Sequence, residues 1–196
     1  MKYVLATANA GKIKEMRSIL SELGIDCITR DELNIDIEIE ETGTTFLENA
    51  TLKARKIAEL SGLAAIADDS GLVVDALNGE PGVFSSSFGG ENLTDSERAK
   101  FLLKKMEKME QRCAKFVCTI VCAFPDGDLI SSTGECSGTI SKELKGSGGF
   151  GYDPIFIPVG KNKSMAELTS SEKNKISHRG AALHNFKTAL ANFKRG

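Results

Sequence analysis

The chain lacks any apolar stretch near the roughly 20 residues that a membrane-spanning helix needs, and its N-terminus has no apolar signal-peptide core. The expectation is a cytoplasmic protein with no membrane partner. It is poor in imidazole: His178 and His184 are its only histidines, which argues against a zinc site. It also lacks a dominant charge, since 25 Lys and Arg stand against 27 Asp and Glu, for a formal net charge of -2. A broad electrostatic attraction to nucleic acid or anionic lipid is thereby excluded. The five cysteines, Cys27, Cys113, Cys118, Cys122 and Cys136, are an odd number, which fits a reducing compartment better than a disulfide framework. Cys118 and Cys122 fall on one face of the alternating stretch 116–124, with Phe116, Ile120 and Phe124. There they read as small core hydrophobes rather than metal ligands.

What is present describes an ordinary globular chain: 196 residues, 41% hydrophobic and 27% charged. No repeat, low-complexity tract or linker divides it, so residues 1–196 read as one domain. Lys2 to Ala6 is a short strand, and Thr7 to Gly11 a turn. A helix follows, with Ile13, Met16, Leu20 and Leu23 on one face and Gly24 as its stop. Residues 25–28 read as a strand, and Asp36 to Glu40 alternates like a half-exposed one. Thr45-x-x-Glu48, Thr94-x-x-Glu97 and Thr169-x-x-Glu172 are capping boxes, each opening a helix. The first of these helices presents Leu47, Ala50, Ala54, Ile57 and Ala58, and the last is interrupted near Gly180. Asp126-Gly127-Asp128 marks a hairpin between two strands. The sum is an α/β fold: a long central mixed sheet flanked by helices, with a loop-rich middle that indicates a groove between two lobes.

Five places can carry chemistry. Asp68 and Asp69 follow the apolar run Leu63 to Ala67 and precede Ser70-Gly71. Adjacent carboxylates at a strand end repel each other and resist desolvation. Either a divalent cation offsets that cost, or the four residues form a simple acidic turn before a short strand around Leu72 to Val74. Thr7-x-Asn9-x-Gly11-Lys12 sits between strand and helix, a place that favours an anion; an ordinary turn with a solvated Lys12 is the alternative. Glu38, Glu40 and Glu41 precede a loop and the helix bearing Lys53, so one acid and the lysine either approach Asp69 or lie in solvent. In Gly146 to Pro154, Phe150 and Tyr152 offer faces to a flat ring, beside Gly151 and Asp153. In Ser170 to Gly180, Lys173, Lys175, His178 and Arg179 gather donors for phosphate or a carbonyl oxygen.

Taken together and in order, these segments resemble the inosine triphosphate pyrophosphatase family. The blocks are Thr7 to Lys12; Glu41-Thr42-Gly43 with Phe46-x-Glu48-Asn49-Ala50 and Lys53-Ala54; Ala67 to Leu72; Gly149 to Pro154; and Ser177 to Gly180. The resemblance implies a two-lobed mixed-sheet fold, usually a homodimer, that hydrolyses ITP, dITP or XTP to the monophosphate and pyrophosphate with Mg2+. By position, Thr7, Asn9, Gly11 and Lys12 hold the triphosphate, helped by Lys53. Glu41 and Asp69 act at the metal, Asp69 also as base for the attacking water. Ser70 contacts substrate; Phe150, Gly151, Tyr152 and Asp153 frame the base; Lys173, His178 and Arg179 complete the contacts. Two positions depart from the family: Ser87 stands where an arginine is common, and Met165 where an aromatic residue is usual. A hydrolase of another modified nucleotide and a non-catalytic nucleotide sensor remain as alternative expectations.

Overall fold

A computed structural model describes residues 2–193. Within these residues six strands and five α-helices form a mixed α/β fold, with strand order β2-β1-β3-β4-β5-β6. The strands are β1 (Tyr3–Leu5), β2 (Cys27–Thr29), β3 (Ala64–Val74), β4 (Cys113–Ala123), β5 (Leu129–Ile140) and β6 (Phe156–Pro158). The helices are α1 (Ala10–Glu22), α2 (Phe46–Ser61), α3 (Asp95–Lys105), α4 (Ser170–Ile176) and α5 (His178–Asn192). β1 runs parallel to β2 and β3, while β5 and β6 are antiparallel.

The chain divides into two compact units. The first holds the residues up to Asp69, Cys118–Gly134 and those from His178 onward; the second holds Ser70–Val117 and Glu135–Ser177. β3, β4 and β5 each contribute residues to both.

In the first unit the parallel strands are apolar on both faces, as strands covered by helices must be. The period of two sorts β3 residues between two cores. Ala64 and Ile66 pack with Met16, Ile19 and Leu20 of α1 and Ala182, Leu183 and Phe186 of α5. Ala65 and Ala67 pack with Ala50, Ala54, Ile57 and Ala58 of α2. Continued along the strand, the same alternation sends Asp68 toward α1 and α5, and Asp69 toward α2. The second unit has its own core, in which Leu72, Val74, Leu102, Met106, Phe156 and Met165 are buried. Met165, where the family usually has an aromatic residue, fills an interior position, so that departure is a change of core packing. Cys118, Cys122 and Cys136 are buried, and burial pushes the Cys118 thiol up to about 12.

The helices capped by Thr45, Thr94 and Thr169 form with both halves of each capping box in place. Four expectations are corrected. Asp68-Asp69-Ser70-Gly71 is not a turn; β3 runs through it without interruption. Asp36 to Glu40 forms no strand: Ile37 and Ile39, with Ile35 just before them, do alternate inward, but they pack on the α2-side core outside any strand. Leu47 is 49% exposed, and Asn49 and Lys53 take the inward face of α2 instead. The last helical region breaks at Ser177, while Gly180 lies within α5.

Candidate active site

The two aspartates of β3 meet different charges. Asp68 is fully buried, and its Oδ2 meets two cationic side chains. Lys12 Nζ lies 3.2 Å from it, Arg179 Nη2 2.9 Å and Arg179 Nε 3.3 Å. Arg179, 1% exposed, also pairs through Nη1 with Glu15 of α1. Burial alone raises a carboxylate pKa, but Lys12 and Arg179, with Lys53 behind them, outweigh it and hold Asp68 far below the usual aspartate range.

Asp69 lies on the other face. Lys53 Nζ stands 3.2 Å from Asp69 Oδ1 and 2.9 Å from Glu41 Oε1. Asn49 Nδ2 donates to Asp69 Oδ2 at 3.3 Å. One buried ammonium thus serves two carboxylates. Burial pushes the Asp69 carboxyl up; Lys53 and Lys12 oppose it, the Glu41 carboxylate adds to it, and the net shift is upward. Burial likewise works against the Lys53 charge, but the carboxylates of Asp69, Asp68 and Glu41 prevail and raise its pKa. The Glu41 side chain is 41% exposed, so this cluster is open to solvent on that side.

The turn before α1 largely satisfies itself. The Asn9 N–H donates to Thr7 Oγ1 at 3.2 Å, and the Lys12 N–H donates to the capping Asn9 Oδ1 at 3.0 Å. Gly11 lies in the first helical turn, and Ser70 follows Asp69 on β3, partly exposed. His178 opens α5 and is buried.

The second unit carries another cluster. Asp153 is buried, accepts the Phe150 N–H at 2.9 Å and pairs with buried Lys173. Lys173 Nζ also lies 4.8 Å from the Phe150 ring centroid, within cation–π range. Gly149 makes this approach possible: its φ is +69°, and a Cβ there would fall 2.0 Å from Asp153 Oδ2. The Gly151 N–H donates to Asp95 Oδ2 at 2.7 Å.

Two placements differ from expectation. Tyr152 does not offer its ring to a ligand; the ring is buried in the core of the second unit, and its hydroxyl donates to the Ser85 carbonyl at 2.9 Å. Arg179 spends its donors on Asp68 and Glu15 rather than standing open. Two residues of the site carry no assigned role in the sequence: Asn49, although it lies in a matched block, and Glu15. Asn49 lies one helical turn before Lys53, and Glu15 three residues after Lys12, so helical spacing was the available signal for both.

Among the described residues no three His, Cys, Asp or Glu side chains converge as a metal centre. Glu41 and Asp69 are nevertheless hard oxygen donors already sharing one positive charge, the donor set that a divalent cation takes when substrate oxygens complete its shell.

A mixed α/β sheet bearing a carboxylate of raised proton affinity, two lysines and a second carboxylate defines an acid–base site suited to a polyanionic substrate. The chain belongs to the Ham1 family, whose model matches residues 3–189. It is 48% identical over 195 residues to the dITP/XTP pyrophosphatase of Salmonella paratyphi A, covering 97% of this chain and 98% of that protein. It is 49% identical over 201 residues to the dITP/XTP pyrophosphatase of Aquifex aeolicus, covering 98% of each. Among solved structures, the Staphylococcus aureus Ham1 protein matches with a TM-score of 0.87 and 41% identity, over 99% of this chain and all 100% of that one. A HAM1 protein from Coxiella burnetii matches with a TM-score of 0.88 and 43% identity, covering 98% and 100%. No helix among the described residues is long and apolar enough to cross a membrane.

Proposed function

We propose that this chain is a nucleoside triphosphate pyrophosphohydrolase acting on deaminated purine nucleotides, ITP, dITP and XTP. The observation that carries the reading is Asp69: a nearly buried carboxylate with raised proton affinity, set between Lys53, Asn49 and Glu41. Such a group accepts a proton from water more readily than an ordinary aspartate. Water's oxygen bonds to the α-phosphorus, the bond to the bridging oxygen breaks, pyrophosphate departs, and Asp69 takes the water proton. The products are the monophosphate and pyrophosphate.

The chemistry calls for positioning and charge neutralisation rather than covalent catalysis. Lys12 and the N-terminal turn of α1, with Thr7, Asn9 and Gly11, are assigned to the triphosphate, and Lys53 to its neutralisation. Asp68 holds Lys12 by its ion pair, and Arg179 holds Asp68, so we assign Arg179 to anchoring rather than to the base. Mg2+ is assigned to Glu41 and Asp69, where it would supply positive charge to the phosphates. Phe150 is assigned to stacking on the base, with Asp153, Gly151 and Lys173 supporting its loop; Tyr152 supports that loop from the core. Ser70 is assigned a substrate contact. His178 is assigned a donor role toward a 6-oxygen, which adenine lacks; sites built to pair one polar group discriminate by about 10⁴-fold. The reading also carries a homodimer, on the strength of the family resemblance and measurable by light scattering, and a cytoplasmic location, on the strength of the odd cysteine count.

The test is pyrophosphate release from ITP, XTP, ATP and GTP, with and without Mg2+. Release from ITP and XTP that depends on Mg2+ and exceeds release from ATP and GTP is expected. No release from ITP or XTP overturns the reading.

A further inference from the structure

Asn49 is 2% exposed, and both ends of its carboxamide are used. Its Oδ1 accepts the Gly43 N–H at 2.7 Å, and its Nδ2 donates to Asp69 Oδ2 at 3.3 Å. The Gly43 N–H can only donate, so it fixes which end of the amide is oxygen. The NH2 group is then obliged to face Asp69. With Lys53 on Asp69 Oδ1, each carboxylate oxygen has its own donor, and the plane of the carboxylate is set.

The same amide reaches the loop that bears Glu41, two residues before Gly43. Position 43 admits no side chain: a Cβ would lie 2.6 Å from Asn49 Oδ1 and 2.6 Å from Glu48 Cβ. Close approach of the loop to α2 therefore depends on this glycine and this asparagine as a pair. Glu48 secures the following residue, accepting from the Thr44 N–H at 2.7 Å.

We propose that Asn49 is a positioning residue that orients Asp69 for proton abstraction and registers the Glu41 loop against it. The proposal rests on the reading of Asp69 as the base. An asparagine is required because the two neighbours ask for opposite things: Gly43 needs an acceptor and Asp69 a donor. Aspartate supplies only the first, and leucine of similar volume supplies neither.

The experiment compares wild type, Asn49→Asp, Asn49→Leu, Gly43→Ala and the double variant Gly43→Ala/Asn49→Leu. Pyrophosphate release from ITP with Mg2+ and thermal unfolding are measured on each. Loss of a supporting hydrogen bond of this kind costs about 10- to 100-fold in activity. That fall in kcat is expected for both Asn49 variants, with KM within about threefold of wild type, the pattern of a lost transition-state interaction. Asn49→Asp keeps the acceptor for Gly43, so a purely loop-anchoring role leaves its kcat at the wild-type level, and that result overturns the proposal. An effect on KM alone overturns it too. Gly43→Ala displaces the same amide, so the double variant is expected to be no worse than its more impaired parent; fully additive losses overturn the coupling. If Asn49→Asp does not fold, uncharged Asn49→Leu carries the kinetic test. A crystal structure of Asn49→Leu gives a readout independent of turnover: an Asp69 carboxylate rotated from its place supports the proposal, and an unmoved one overturns it. Absence of ITP and XTP turnover by wild type defeats the pyrophosphohydrolase reading and leaves that structural arm decisive for Asn49.

Discussion

The two faces of β3 place neighbouring carboxylates in opposite circumstances. On the α1 and α5 face, Asp68 is surrounded by cations: Lys12 and Arg179 converge on one oxygen, with Glu15 balancing the remaining guanidinium nitrogen. On the α2 face, Asp69 shares Lys53 with Glu41, so negative charge is in excess. The first arrangement stabilises a charge and immobilises it. The second leaves a carboxylate short of positive partners, able to receive a proton or a cation. A difference of one residue in a strand thus separates a structural acid from a reactive one, because a strand turns successive side chains to opposite faces.

The largest expected contrast is kinetic. Asp69→Asn should fold and lose turnover of ITP by about 10²- to 10⁴-fold, the range for a missing general base. Its stability to urea should stay level or rise, because the site loses a charge it holds reluctantly. The next contrast is thermodynamic. Asp68→Asn removes the carboxylate that buried Arg179 shares with Lys12, and breaking a buried pair from one side costs about 3–5 kcal/mol. Urea unfolding measures that loss; a change below 1 kcal/mol would deny Asp68 its structural role.

A third contrast is read against pH. The folded pKa of Asp68 lies below its unfolded value of about 3.9. Its contribution to stability is therefore complete above pH 3.9 and is lost as pH falls toward the folded value. Wild-type stability should decline along that limb, and Asp68→Asn should lose this part of the decline. Asp69 carries the opposite sign: with its folded pKa raised, the folded state gains relative stability as pH falls through that pKa. The smallest effect belongs to the helix that bears Lys53 and Asn49. Thr45→Ala removes its N-cap and should lower stability by about 1 kcal/mol, leaving kcat within a few-fold.

What was legible in the sequence was mainly local. Capping boxes are written within four residues, and all three define their helices. The period-two pattern around Cys118 and Cys122 likewise announced a buried strand. The blocks containing Asp69, Lys53 and Glu41 pointed to residues that the fold does bring together. Illegible features depended on distant partners. Asp-Asp-Ser-Gly has turn composition, yet sheet pairing and helices on both faces override it and carry β3 straight through. Ile35 to Ile39 alternates like a strand but finds no neighbouring ladder, so only its packing survives. Arg179 stands 111 residues from Asp68, and no spacing rule could say that a buried carboxylate would claim it. Tyr152 sits among glycines and looked available; the Ser85 carbonyl, 67 residues away, drew it into the core.

The central claim, that Asp68 and Asp69 hold opposite proton affinities, is tested most directly by following the carboxyl carbons of both residues by NMR as pH is lowered in the metal-free protein. Asp69 should take up its proton at a pH above that of an ordinary aspartate, and Asp68 should remain ionised well below it. Coincident titrations, or the reverse order, would contradict the account.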